Sequence, residues 1–144
     1  MSDHVLVAYD DSEQSERALE HVLEKHSDAR LTLLHVMDLM EAGYTAPVDS
    51  TLPGFWEEWY ENEAATAEAL LDEAADRAAE AGLEVETATV VGRPARAINE
   101  YVREHDVDQV VVGSHGRSGV SRILLGSVAE AVVRRSPVPV TVVR

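Results

Sequence analysis

Apolar residues fall along this chain in short runs separated by segments of helical period. Val5-Leu6-Val7-Ala8-Tyr9 is unbroken, the pattern of a strand buried on both faces. It ends at Asp10-Asp11-Ser12, where Asp11 and Gln14 have capping-box spacing and Ser12 is an alternative cap. The spacing predicts a helix over 13–26, with Ala18, Leu19, Val22 and Leu23 on one face. Leu31 to Val36 reads as the second strand. Residues 38–54 keep no period and contain Gly43, Pro47, Pro53 and Gly54, which predicts a mobile loop. An Ala/Glu-rich helix is predicted over 55–81 with Gly82 as its C′ residue. Val85 to Val91 is a third strand with weak alternation. Pro94 stands near the first position of a helix over Ala95 to His105. Gln109 to Gly113 is a fourth buried strand, 114–126 a Gly/Ser-rich loop, 127–136 a helix, and Val138 to Val143 the fifth strand. Val-rich strands alternating with helices predict one α/β domain over 1–144, its parallel sheet covered on both sides.

Composition narrows the class. The 144 residues fit one domain and include no cysteine, which excludes disulfides, thiolate metal sites and cysteine nucleophiles. No apolar run approaches the roughly 18 residues of a membrane span. Met1-Ser2-Asp3-His4 places no basic segment before a long apolar one. The expectation is a cytoplasmic globular protein with no membrane partner. The net charge is −15, which disfavours nucleic acid as a partner. Lys25 is the only lysine, and an acidic, lysine-poor surface suits a high-salt cytosol such as that of a halophilic archaeon, the alternative being a merely acidic protein with Arg-rich codon usage. The charge is uneven: residues 1–108 hold 7 basic and 26 acidic side chains, residues 109–144 hold 5 basic and one acidic. The basic ones are Arg117, Arg122, Arg134, Arg135 and Arg144, a positive segment suited to an anion or to pairing with the acidic part.

Chemistry concentrates in the segment from Gly113 to Ser127, which leaves a buried strand and enters a helix. Glycines let backbone N–H groups approach phosphate oxygens. A helix beginning at Gly126-Ser127 offers unpaired donors and the positive end of its dipole, the Ser127 hydroxyl adds a donor, and Arg117 and Arg122 add mobile charge. The competing reading is structural: Ser127-Val128-Ala129-Glu130 is itself a capping box. The loop carries neither the GxxxxGK[ST] pattern nor GxGxxG.

The spacing Gly-x2-Gly-x9-Gly-Ser, from Gly113 through Gly116 to Gly126-Ser127 after Val110-Val111-Val112, resembles the ATP-binding signature of the universal stress protein family. The resemblance runs nearly end to end. It includes Val5 to Asp10, Leu33-Leu34-His35-Val36, Gly92-Arg93-Pro94 and the closing Pro137 to Val143. It implies a doubly wound, Rossmann-like sheet of five parallel strands in the order 3-2-1-4-5. That order places the ligand crevice of an open α/β sheet between strands one and four, which Asp10 and Gly113 terminate.

Carried over by position, the resemblance gives Asp10 a ribose contact, where capping the first helix is the alternative. Val36 would bracket adenine with strand-end backbone groups as well as pack in the core, and Ala8 and Tyr9 would line the crevice. Gly113, His115, Gly116, Gly126, Ser127 and Val128 would wrap ribose and phosphates, with Arg117 beside them. The alternative for His115 is an exposed loop histidine. Asp11 stands where many family members carry glycine, so its carboxylate is either solvated or a source of phosphate repulsion. Magnesium or manganese would be held mainly by the phosphates and Ser127. The Val-rich last strand, Val138 to Val143, is an unguarded edge that invites a homodimer, and the resemblance implies the same two-fold contact.

Phe55, Trp56, Trp59 and Tyr60 form a base-stacking platform or, more simply, a packed cluster or lid. His21 and His26, beside Glu24, are a poor metal constellation. Spacing assembles no Ser-His-Asp set, so no catalytic residue is assigned. Three functions are distinguished: an ATP-dependent stress-response switch, a slow nucleotide hydrolase or nucleotidyl-transfer enzyme, and a nucleotide-free interaction module. The intact glycine spacing favours the first.

Overall fold

The computed structural model describes residues 3–38, 52–115 and 125–144. Strand β1 (His4–Ala8) lies at the centre of a five-stranded sheet of order β3-β2-β1-β4-β5. It pairs on one side with β2 (Arg30–Met37) and on the other with β4 (Gln109–Gly113), and every pairing in the sheet is parallel. The edges are β3 (Glu84–Val91) and β5 (Val140–Val143). Among the described residues the intervening helices are α1 (Glu13–Lys25), α2 (Phe55–Glu80), α3 (Pro94–Glu104) and α4 (Ser127–Arg135). The expected doubly wound α/β fold and strand order are therefore present.

Alternation along β1 divides the core. Val5, Val7 and Tyr9 pack with Leu19 and Val22 of α1 and Leu71, Ala74 and Ala78 of α2. Leu6 faces the opposite side, with Ile98 and Val102 of α3 and Ala129 and Val132 of α4. Fully burying each such Leu, Ile or Val contributes about 1.5–3 kcal/mol. The central strands need apolar residues on both faces. β3 does not: Glu84, Glu86, Thr87 and Thr89 are exposed, because an edge strand is covered less completely.

The helix ends follow local chemistry. Ser12 caps α1, its hydroxyl accepting from the Ser15 amide at 3.1 Å. Asp11 is not the cap. It adopts φ +58°, the left-handed conformation that glycine enters most cheaply and aspartate tolerates. At the end of α2, the Gly82 amide donates to Ala79 O (3.0 Å) and the Leu83 amide to Ala78 O (3.1 Å), with Gly82 at φ +91°. This is a Schellman closure with the expected glycine at C′. It turns the chain into β3, so α2 runs antiparallel to the strands. β5 begins at Val140 rather than Val138, since Pro137 and Pro139 lack amide donors. The loop expected over 38–54 lies, for 39–51, outside the described residues.

At the amino ends of the strands, the His4 ring Nε2 meets Thr32 Oγ1 at 2.7 Å, and the Thr32 hydroxyl donates to Glu86 Oε1 at 3.0 Å. The His4 amide donates to Asp108 Oδ2 at 2.7 Å. These bonds tie β1, β2, β3 and the residue before β4 together.

Candidate functional site

The carboxyl ends of β1 and β4 lie side by side in the sheet, and α1 seats closely on Gly113. A Cβ at Gly113 would lie 2.6 Å from Gln14 Cβ, 2.8 Å from Gln14 C and 2.9 Å from Gln14 O. The absence of a side chain there lets the first turn of α1 rest directly on the end of β4. Packing thus accounts for a glycine that the sequence assigned to phosphate approach.

The turn after β1 is internally bonded. Asp10 Oδ1 accepts from the Ser12 amide at 3.0 Å, and the Asp10 amide donates to Ser15 Oγ at 3.4 Å. Asp10 therefore forms an Asx-type turn ahead of the Ser12 cap, and its carboxylate is fixed at the strand end. The Tyr9 amide donates to Leu34 O at 2.8 Å, and His35 Nδ1 lies 2.9 Å from Tyr9 O. The Tyr9 ring is buried among the α1 and α2 side chains, and its amide and carbonyl are engaged by Leu34 and His35, so Tyr9 shapes the strand end. Ala8 and Val36 lie on the other face, half-buried against the α3 and α4 core.

The two ends of the Gly/Ser-rich loop meet. The Ser114 amide donates to Val143 O (2.8 Å), and the Gly126 amide donates to Ser114 O (2.7 Å). A Cβ at Gly126 would sit 2.7 Å from Ser114 O and 3.4 Å from His115 Cδ2. His115 Nδ1 is 3.2 Å from Ser114 Oγ, so its ring belongs to the base of the loop. Ser114 fastens β4, β5 and the entry to α4 at one point; the only sequence signal for it was its place after a buried Val-rich strand.

Ser127 does not cap α4. The cap position is Gly126, whose carbonyl accepts from the Glu130 amide at 2.9 Å, and Ser127 is the first helical residue. Glu130 pairs instead with Arg134 one turn on. Exposed Ser127 and Val128 thus stand on the first turn of α4, where amides and the dipole favour an anion.

The positive segment divides. Arg134 and Arg135 occupy the last turn of α4, the end opposite Ser127, where they complement the helix dipole. Arg144 follows Val143 at the site end of the sheet. Gly116, Arg117 and Arg122 lie outside the described residues. No group of three His, Asp or Glu side chains suited to a metal occurs among the described residues.

Two tyrosine hydroxyls are held above their ordinary ionisation range. For Tyr9 the main cause is burial, reinforced by Glu16 and opposed by Arg77; for Tyr101 it is burial and then Glu86, opposed by a hydrogen bond with Thr32. Because their folded values are raised, their contribution to stability is complete below the unfolded value of about 10 and is lost as pH rises through the folded values. Alkaline unfolding should set in above about pH 10, and the Tyr9→Phe/Tyr101→Phe double variant should delay it. An unchanged alkaline melting curve in that variant would contradict the assignment.

The fold is that of a doubly wound α/β protein whose switch point lies between β1 and β4. The universal stress protein family model matches residues 1–144, and the chain belongs to that family. It is 36% identical to universal stress protein YxiE of Bacillus subtilis over the full length of both chains. The solved structure of protein MJ0577, from Methanocaldococcus jannaschii, superposes with a TM-score of 0.87 at 31% identity, covering 99% of this chain and 96% of that one. A universal stress protein crystallised in complex with cAMP superposes at a TM-score of 0.67 and 30% identity, covering 99% and 96%.

Proposed function

We propose that this chain binds an adenine nucleotide, ATP, in the crevice between β1 and β4, and acts as a nucleotide-dependent switch in the cytoplasm. One observation carries the reading. The bonded Asp10 turn, the Gly113–His115 strand end and the first turn of α4 at Gly126-Ser127 converge where an open parallel sheet binds ligands. In this reading Asp10 holds the ribose, and backbone groups at Ala8, Tyr9 and Val36 border the adenine. Gly113, His115, Gly116, Gly126, Ser127 and Val128 surround the phosphates, with Arg117 beside them and magnesium or manganese carried by them. The cAMP complex of a relative supports an adenine nucleotide as the class of ligand. Fast hydrolysis is not expected, because the assigned residues include no lysine and no dedicated base to orient water. Mass spectrometry of small molecules released from purified, denatured protein tests the reading. An adenine nucleotide near one per chain is expected. Protein that releases none and gives no heat with added ATP would overturn it.

The same reading includes a homodimer through β5. β3 carries Glu84 and Glu86 along its edge, whereas Val140, Thr141, Val142 and Val143 present no charge. The Pro139 and Val143 carbonyls accept from β4, so Thr141 between them also bonds β4 and the outward amides are those of Val140 and Val142. Val142→Pro removes an edge donor, and a two-fold interface suffers the change twice. The variant should sediment as a monomer where the parent sediments as a dimer; a parent monomer, or an equally tight variant dimer, contradicts the proposal.

The −15 charge further favours a high-salt cytosol. The melting temperature should keep rising toward molar potassium chloride, whereas a plateau by about 0.3 M, where screening of exposed charges is already strong, would refute this.

A further inference from the structure

Among the described residues, the first turns of helix α2 run past the core that its later turns cover. One of its faces carries Trp56, Tyr60, Ala64, Ala67, Leu71, Ala74 and Ala78 at three- and four-residue spacing. From Ala67 onward the stripe is buried, and Ala64 is half-buried. Trp56 and Tyr60, on the same face, are 39% and 50% exposed. Residues 55–66, about 18 Å of helix at 1.5 Å per residue, contain no buried side chain. Since α2 runs antiparallel to the strands, these turns lie toward the carboxyl ends of the sheet.

The exposed part of the stripe is preformed. Phe55 and Trp56 meet edge to face with ring centroids 5.0 Å apart, and Trp56 and Trp59 at 5.9 Å. Both Phe55 and Trp59, which touch the Trp56 ring, are half-buried. Leu52, just before the helix, is 60% exposed. Around the stripe stand Glu57, Glu58, Glu61 and Glu63, all exposed. From residue 31 to residue 76 the sequence has 11 acidic residues and no lysine or arginine.

We propose that Trp56 and Tyr60, ringed by Glu57, Glu58, Glu61 and Glu63 on the uncovered turns of α2, form a docking surface for a basic amphipathic segment of a partner protein. Charge complementarity selects this occupant. Two copies of this surface would bring like charges together, and an anionic lipid surface or nucleic acid would be repelled. A helix with apolar residues at i and i+3 or i+4 matches the Trp56–Tyr60 spacing. Its lysines or arginines meet the flanking carboxylates and the faces of the two rings. Trp and Tyr are also the side chains that most often dominate such interfaces. The surface stands on α2 alone and does not depend on the nucleotide reading.

The test uses the full chain and a leucine–lysine peptide with its leucines at helical spacing, read by tryptophan fluorescence and calorimetry. The parent should bind this peptide more tightly than a scrambled peptide of the same composition. Trp56→Ala/Tyr60→Ala should weaken binding at least about tenfold. Glu57→Gln/Glu61→Gln/Glu63→Gln, which leaves the rings in place, should weaken binding and flatten its salt dependence. Circular dichroism checks that each variant is folded, and the charge variant keeps the proposal testable if the ring variant does not fold. Equal affinity for ordered and scrambled peptides would overturn the proposal, as would unchanged binding in either folded variant. Self-association lost in Trp56→Ala/Tyr60→Ala, or adsorption to phosphatidylserine vesicles, would also overturn it.

Discussion

Gly113→Ala should destabilise the protein by about 1–3 kcal/mol, the range for forcing an extra carbon into a packed interior. The new Cβ would come within 2.6–2.9 Å of the Cβ, C and O atoms of Gln14. Two of these are backbone atoms, so no rotamer change at Gln14 relieves the contact, and α1 must lift from the end of β4. The loss should appear as a lower urea midpoint in protein free of nucleotide. Gln14→Ala should not rescue it, because alanine keeps the offending Cβ. An unchanged midpoint would show that Gly113 is not a packing position.

Gly116→Val should lower ATP affinity at least about a hundredfold, or about 2.8 kcal/mol, while leaving the fold intact. Gly116 is the second glycine of the Gly-x2-Gly-x9-Gly-Ser spacing. A branched side chain there would occupy the space in which phosphate oxygens approach backbone amides. Gly113→Ala and Gly116→Val thus separate two roles that one motif conceals: the first acts on stability without nucleotide, the second on affinity without loss of stability. Calorimetry with ATP, beside circular dichroism, measures both. A folded Gly116→Val variant with unchanged affinity would remove the phosphates from this loop.

The buried strands were legible because β1 and β4 lie in the middle of the sheet, where both faces demand apolar residues, leaving Val5-Leu6-Val7 and Val110-Val111-Val112 as unbroken runs. The strand order was not legible in any periodicity; it came from the family resemblance, and the pairing register agrees with it. Local patterns misled where two satisfied the same rule. Ser127-Val128-Ala129-Glu130 has capping-box spacing, yet the helix starts one residue earlier, with Gly126 as its cap. Asp11 and Gln14 offer the same spacing, but Asp11 takes a left-handed conformation and Ser12 caps α1. That conformation explains why glycine suits the position, which the sequence had suggested only as a matter of charge. The positive segment was a property of composition, not of place: Arg134 and Arg135 belong to the far end of α4. Ser114, which binds Val143 and Gly126 through its backbone, had no distinctive side-chain signal, since backbone bonds leave little trace in residue type.

The proposed adenine nucleotide lies where β1, β4 and the start of α4 meet. Hydrogen–deuterium exchange with and without saturating ATP reports both its binding and its place. Slower exchange is predicted for amides of the β1–α1 turn around Asp10 to Ser12, the strand end at Gly113 to His115, and the first turn of α4 from Gly126 to Val128. Amides of the opposite end of the sheet, around His105 to Asp108, should be unchanged. No protection anywhere, or protection confined to that opposite end, would contradict the account.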